Sequence, residues 1–371
     1  MRQRIEKIFW SLLRTGLFGA DGNLSCYGTL TDEDWKKIYA LSVEQGLTGI
    51  VFSAVEHLPK TQLPPIRLLM NWYGQVDYIK RHNVMYREKA GELLGVFRGR
   101  GLVPVVLKGE ACARYYPQPD RRILGDLDVF LLKDADCSHN GAHEWAYEEG
   151  NRLAAMMGAE VEIHDYKHSH IDWKGLMVEN HRLLTTARGG KKKKELEAYL
   201  QKLVAEFGLH DDKFKPSEAI KAEALFEALF LTLHAFHHFM VGELTVRQLC
   251  DWAVFVKSRG NEVNWATYLY WMERMGMMPF VRAVRYITQY YMAVNVDFDL
   301  APSDDKRLAR KILEDTLYGK HEQMSAEHIV RYRIWQTYQI FRSSWKYRMF
   351  CNENVLIAYS KMLWAHWFDK V

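Results

Sequence analysis

Cysteine is scarce in this chain of 371 residues, and its five copies, Cys26, Cys112, Cys137, Cys250 and Cys351, stand far apart with no CxxC pair. That spacing excludes a disulfide framework or a structural zinc cluster and predicts a reducing, cytoplasmic setting. Long apolar runs are lacking too. The most apolar stretch, 229–241, contains His234, His237 and His238 and is shorter than the roughly 20 residues of a membrane helix, so no membrane contact is expected. The opening residues Met-Arg-Gln-Arg-Ile-Glu-Lys break their apolar positions with charge before a signal-peptide core can form, and they read as mature protein. Net charge is only +4. A nucleic-acid partner is not expected, because neither a dense basic face nor an aromatic-basic module is present. The single compact basic run, Lys191 to Lys194, reads as a solvated loop or helix start, with a phosphate or an acidic partner as the alternative.

What is present describes a globular protein. The apolar fraction is 48% and the charged fraction 26%, and the length suits two or three structural units. Aromatic residues, 12 Trp, 20 Tyr and 17 Phe, fall largely in stretches of helical periodicity, so large buried surfaces between helices are expected. Residues 5–17 are apolar at helical spacing. Thr31 is placed to cap a helix with Trp35, Ile38, Leu41 and Leu47 on its buried side. A longer helix follows Pro64-Pro65 and runs towards Arg98.

The pattern then changes period. Residues 102–107 form a short apolar run ending at Lys108-Gly109, the form of a buried strand entering a tight turn. A short helix over 111–116, a loop at 117–120, a strand over 127–132 and a helix over 144–157 follow. Strands are expected at 161–164, 168–173 and 176–181, the last two joined at Lys174-Gly175 as an antiparallel hairpin. Helical periodicity returns over 195–207 and 222–240, then over 245–257, 265–272, 280–291, 307–318 and 329–349. The expected fold is α+β: a small mixed sheet flanked by helical regions, divided as 1–98, 99–185 and 186–371.

The chemistry concentrates at Leu124-Gly125-Asp126-Leu127-Asp128. On a strand, alternate residues share a face, so Asp126 and Asp128 are expected to present two carboxylates together. Paired anions need a cation, and Mg2+, or Mn2+ in its place, shared with substrate phosphates supplies one. Gly109 permits close backbone approach to a phosphate, and Lys108 can add positive charge there. Arg122 can brace Asp126 or meet phosphate. Glu179, mid-strand in Met177-Val178-Glu179-Asn180-His181, is the expected third acid, with Glu162 its rival, since Val161-Glu162-Ile163 has the same local alternation. His181 shares the strand parity of Glu179 and can support a carboxylate, meet phosphate or move a proton.

The text Val105-Val106-Leu107-Lys108-Gly109, then Tyr116-Pro117, then Arg122 through Phe130, and later Val178-Glu179-Asn180-His181, resembles the uncharacterised nucleotidyltransferase family of the DNA polymerase beta-like superfamily. The early Leu12-Leu13-Arg14 and Trp35 and the later Leu233 to His238 and Leu244 to Asp251 extend the resemblance over most of residues 1–300. It implies a polymerase-beta-like sheet in which Asp126, Asp128 and Glu179 are catalytic, metal-binding acids and Gly109 lies on the phosphate side. It also implies that His234 and His238 line a nucleotide or acceptor pocket, together with Arg247 and Asp251. Where many of the superfamily have Gly-Ser in the phosphate turn, this chain has Gly109-Glu110, so no serine contact is expected.

The resulting expectation is a metal-dependent enzyme that transfers a nucleoside monophosphate from a nucleoside triphosphate, ATP being the preferred donor, to a hydroxyl of a small molecule or protein. Two alternatives compete with it. A sugar-nucleotide-dependent glycosyltransferase would need a larger sheet ahead of the acidic pair, and a regulatory protein would keep the nucleotide pocket without turnover.

Overall fold

The computed structural model describes residues 2–19, 24–133, 142–163, 166–185, 190–208, 223–298, 300, 305–319 and 343–350. Cys137, Cys351, His164 and most of the helix expected over 329–349 lie outside the described residues; 343–350 is helical.

Among the described residues, four α-helices precede the sheet: α1 (Arg2–Phe18), α2 (Asp32–Glu44), α3 (Thr48–Val55) and α4 (Ile66–Arg98). Thr31 caps α2 as its sequence suggests: its hydroxyl accepts from the Asp34 amide at 3.2 Å while the Asp34 carboxylate accepts from the Thr31 amide at 3.0 Å. Pro65 precedes α4, whose 33 residues extend about 50 Å at 1.5 Å per residue. That length lets one helix serve two cores, with Trp72 and Val76 in the first and Tyr86, Leu93 and Phe97 in the second.

The sheet contains β1 (Leu102–Val106), β2 (Leu127–Lys133), β3 (Glu160–Glu162), β4 (His168–Trp173) and β5 (Leu176–His181), with α5 (Glu110–Ala113) after β1 and α6 (Ala142–Met156) after β2. Its order is β1-β2-β5-β4-β3. Only β2 and β5 run parallel; the other neighbours are antiparallel, so the sheet is mixed. The β4–β5 hairpin turns on Lys174 and Gly175, whose φ angles of 55° and 78° are both left-handed, as a two-residue turn matched to strand twist requires. The Asp172 carboxylate accepts from the Gly175 amide at 2.6 Å and fixes the turn.

Alternation along the strands separates the two faces. Leu127, Val129, Leu131, Ile171 and Val178 pack with α4 and α6. Gly150 makes the α6 contact possible: a Cβ there would lie 2.1 Å from Leu131 Cδ1. On the opposite face Phe130 and Leu132 join the larger core, while Asp128, Glu179 and His181 interrupt it with charge.

Helices α7 (Lys191–Gly208), α8 (Ala224–Val241), α9 (Val246–Arg259), α10 (Trp265–Arg274), α11 (Met278–Tyr290) and α12 (Asp305–Tyr318) follow the sheet, ahead of the helical 343–350. The Lys191 to Lys194 run opens α7 and is exposed. Helix α8 begins earlier than the 229–241 stretch suggests and reaches 18 residues, long and apolar enough by composition to cross a membrane; 61% of it is buried inside the fold. Phe226, Leu229 and Phe239 account for its apolarity, since all three are fully enclosed in the core.

Candidate active site

Strand register brings the acids together. Asp128 on β2 pairs directly with Glu179 on β5, and Phe130 with His181. The strand begins at Leu127, so Asp126 lies just before it rather than on it, more exposed than Asp128, which is 1% exposed. The loop that delivers Asp126 is held by Asn83 of α4: its amide nitrogen donates to the carbonyls of Asp120 at 2.9 Å and Arg122 at 2.8 Å, and its oxygen accepts from the Leu124 amide at 3.1 Å.

Asp128 has two basic neighbours. Lys108 Nζ lies 2.9 Å from one oxygen, and His181 Nε2 donates to the other at 3.0 Å. His181 Nδ1 lies 3.3 Å from the Leu183 carbonyl, so both ring nitrogens face acceptors. Burial works against a charged His181, but the hydrogen bonds to Asp128 and Glu179 outweigh it and raise its pKa. Burial would likewise raise Asp128; Lys108 and His181 hold it below the ordinary carboxylate value. Glu179 is held far down in the same way, its burial outweighed by His181, Asp128 and Lys108. Burial disfavours the Lys108 charge, and Asp128 and Glu179 restore it.

Asp126 behaves oppositely. Burial first, then the charges of Glu179 and Asp128, push its carboxyl up, so this part of the site carries more negative charge than its surroundings neutralise. A divalent cation fits that need, and the Lys108 ammonium shows where positive charge is already accommodated. The three expected acids, Asp126, Asp128 and Glu179, all lie here, close enough to act on one another's charge. Asp128, Glu179 and His181 also bring possible ligand atoms within 4.8 Å of one another.

Gly109, between β1 and α5, has φ 64° and ψ −102°, a conformation that side chains disfavour, and its missing Cβ would lie 3.7 Å from the Asp126 carbonyl. The turn therefore runs beside the acids. The next residue, Glu110, accepts a hydrogen bond from Arg87 Nε at 2.8 Å.

Arg122 takes a different place from the one expected. It is 5% exposed and grips Asp251 of α9 through two hydrogen bonds, 2.8 and 2.6 Å, with the Tyr116 hydroxyl donating to the same carboxylate at 2.7 Å. It braces α9 against the loop before Asp126, not Asp126 itself. Arg247, one turn earlier on α9, has the opposite character. Its Nε has no hydrogen-bond partner, and burial and the neighbouring Arg122 disfavour its charge while Asp251, Tyr116 and Asp126 favour it.

His234 lies on the α8 side of the site. Burial, with Lys108 and His238 adding to it, holds its pKa well below the usual 6.5, so it is neutral. With Lys167, Thr185, Phe230, His237 and Met275 it lines a cavity of about 300 Å³. His238 packs edge-on to His234, ring centres 4.3 Å apart, and its Nδ1 lies 3.4 Å from Glu243. Glu162 stands exposed on the outer strand, opposite His170. His168 and His170, absent from the residues expected at the site, join it: their spacing of two on a strand places both imidazoles beside Glu179.

Paired acids on neighbouring strands, with a lysine and a glycine turn at their side on a small open mixed sheet, define a nucleotidyltransferase-type site on a polymerase-beta-like fold. Residues 31–293 match the model of the family described as "Uncharacterised nucleotidyltransferase". The chain belongs to that family. No curated protein and no solved structure gives a significant match.

Proposed function

We propose that this protein transfers a nucleoside monophosphate from a nucleoside triphosphate to a hydroxyl of a small molecule or protein. The observation that carries the proposal is the registered pair Asp128 and Glu179, with Asp126 at its rim and Lys108 inside it. A bound Mg2+ or Mn2+ would neutralise phosphate charge and make the acceptor hydroxyl easier to deprotonate. Each residue then has a defined task. Asp126, Asp128 and Glu179 hold the cation; His181 fixes the Asp128 carboxylate; the Gly109 backbone and Lys108 meet phosphate oxygens. Arg247 is a cation without a hydrogen bond at Nε, and the triphosphate offers it acceptors. Arg122 positions the loop through Asp251. The cavity beside His234 is the place for the acceptor, with neutral His234 at its edge. ATP is the first donor to test, and the scattered cysteines favour a cytoplasmic setting. A sugar-nucleotide fold is disfavoured, because the described residues before Leu102 are helices and loops.

The test incubates the full chain with each labelled nucleoside triphosphate, Mg2+ or Mn2+, and fractionated extract, and measures pyrophosphate release and labelled product. Wild type is expected to give both, and an Asp126→Ala/Asp128→Ala variant neither. Equal signals from the two proteins would remove the assignment. Nucleotide binding without pyrophosphate release would favour a regulatory protein, a reading supported by the direct Lys108–Asp128 ion pair.

A further inference from the structure

Glu179 directs its two oxygens at different neighbours. Oε2 lies 3.4 Å from His181 Nε2. Oε1 lies 3.7 Å from His168 Nε2 and 4.0 Å from His170 Nε2, and those two nitrogens are 3.0 Å apart. The β4–β5 register produces the convergence, since His170 pairs with Glu179 and His168 with His181, and residues two apart on a strand share a face. Two imidazole nitrogens and one carboxylate oxygen thus surround a single point.

Their spacing has a simple geometric meaning. Ligand atoms about 2.1 Å from an ion stand about 3.0 Å apart at a right angle and about 3.4 Å apart at the tetrahedral angle. The histidine nitrogens already have the first separation, and a small rotation of Glu179 brings its oxygen to the second. Side-chain exposures of 16% for His168, 35% for His170 and 19% for Glu179 leave an open side for water to complete the shell.

We infer that His168, His170 and Glu179 form a second cation site, joined through Glu179 to the acids of the proposed active site, and that it takes a divalent transition ion, Zn2+ being the test case. Imidazole suits such ions, whereas Mg2+ prefers oxygen ligands and keeps much of its water. The competing arrangement is a hydrogen bond between the rings. That bond puts a proton on one Nε2; metal binding instead needs both Nε2 lone pairs, with the protons on Nδ1.

The site rests on the nucleotidyltransferase reading only for its use in the reaction, so ion binding is tested apart from turnover. The full chain is dialysed against limiting Zn2+ in excess Mg2+, and retained zinc is measured by plasma mass spectrometry. The expected result is one Zn2+ per wild-type chain, one in Asp126→Asn, and none in His168→Ala/His170→Ala. His168→Gln/His170→Gln, checked by circular dichroism, replaces the alanine variant should that one misfold. A zinc-dependent rise in melting temperature is expected in wild type and not in the folded histidine variant. Zinc absent from wild type, or held equally by the folded histidine variant, overturns the inference. Zinc bound at these histidines without nucleotidyl transfer sustains the site and removes the proposed function; transfer with Mg2+ and no bound zinc does the reverse.

Discussion

Replacing Asp251 by Asn keeps the shape of the side chain and deletes its charge, leaving the Arg122 guanidinium buried without its counter-ion. Both side chains are nearly sealed, 6% and 7% exposed, and the carboxylate receives three hydrogen bonds, two from Arg122 and one from Tyr116. Breaking a buried pair from one side costs roughly 3–5 kcal/mol, because the survivor has lost both water and partner. With a urea slope of about 2.5 kcal/mol/M, within the usual range for small proteins and rising with size, the midpoint falls by about 1–2 M. An Arg122→Met/Asp251→Leu variant removes both charges and is expected to lose less than the single variant, since what it leaves unpaired is neutral: the Tyr116 hydroxyl, at roughly 1–3 kcal/mol, and the Ile123 carbonyl, which gives up one long bond of 3.3 Å. Urea unfolding followed by circular dichroism measures both. If Asp251→Asn kept the wild-type midpoint and lost only nucleotide affinity, Arg122 would have to serve phosphate, and its assignment as the brace between α9 and the Asp126 loop would be wrong.

Arg247→Gln is expected to raise the KM for nucleoside triphosphate about tenfold or more, from roughly 1.5–3 kcal/mol for hydrogen bonds to a charged group, while the urea midpoint does not fall; steady-state kinetics beside the same unfolding experiment separates the two effects. His234→Gln tests a pH dependence. The folded chain holds His234 neutral well below 6.5, so below about that pH the unfolded chain binds the extra proton and stability falls as pH falls. Wild type minus variant, measured by urea unfolding at several pH values, is expected to show that slope below 6.5 and none above it.

The sequence carries the small elements of this fold more clearly than their meeting points. Thr31, Pro65 and Lys174-Gly175 act through local backbone chemistry, so the α2 cap, the α4 start and the β4–β5 hairpin are legible from a few residues each. The partner of Arg122 is not, because Asp251 is 129 positions away and no short-range rule links them. Asp126 shows a related limit: alternation puts it on the strand with Asp128, but Asn83, far earlier in the chain, anchors the preceding loop and β2 starts one residue later. The histidines at 168 and 170 obey the same period-two rule as Asp126 and Asp128, but their place beside Glu179 depends on the β4–β5 register, which alternation alone does not supply.

Glu179 and Glu162 show most clearly what alternation cannot decide. Each follows a valine on its strand, and both belong to one face: Asp128 pairs with Glu179, Glu179 with His170, and His170 with Glu162. Local sequence therefore gives the two acids the same claim. Sheet order separates them, because β5 inserts beside β2 while β3 is left at the edge. At about 4.8 Å per strand, Glu179 is one step from Asp128 and Glu162 three, near 15 Å, too far to share one ion. The parallel β2–β5 pairing, made possible by the α6 crossover and the later return of the chain, is thus the feature that turns two ordinary strand acids into a joint site, and it places the histidine pair on the opposite side of Glu179 from Asp128.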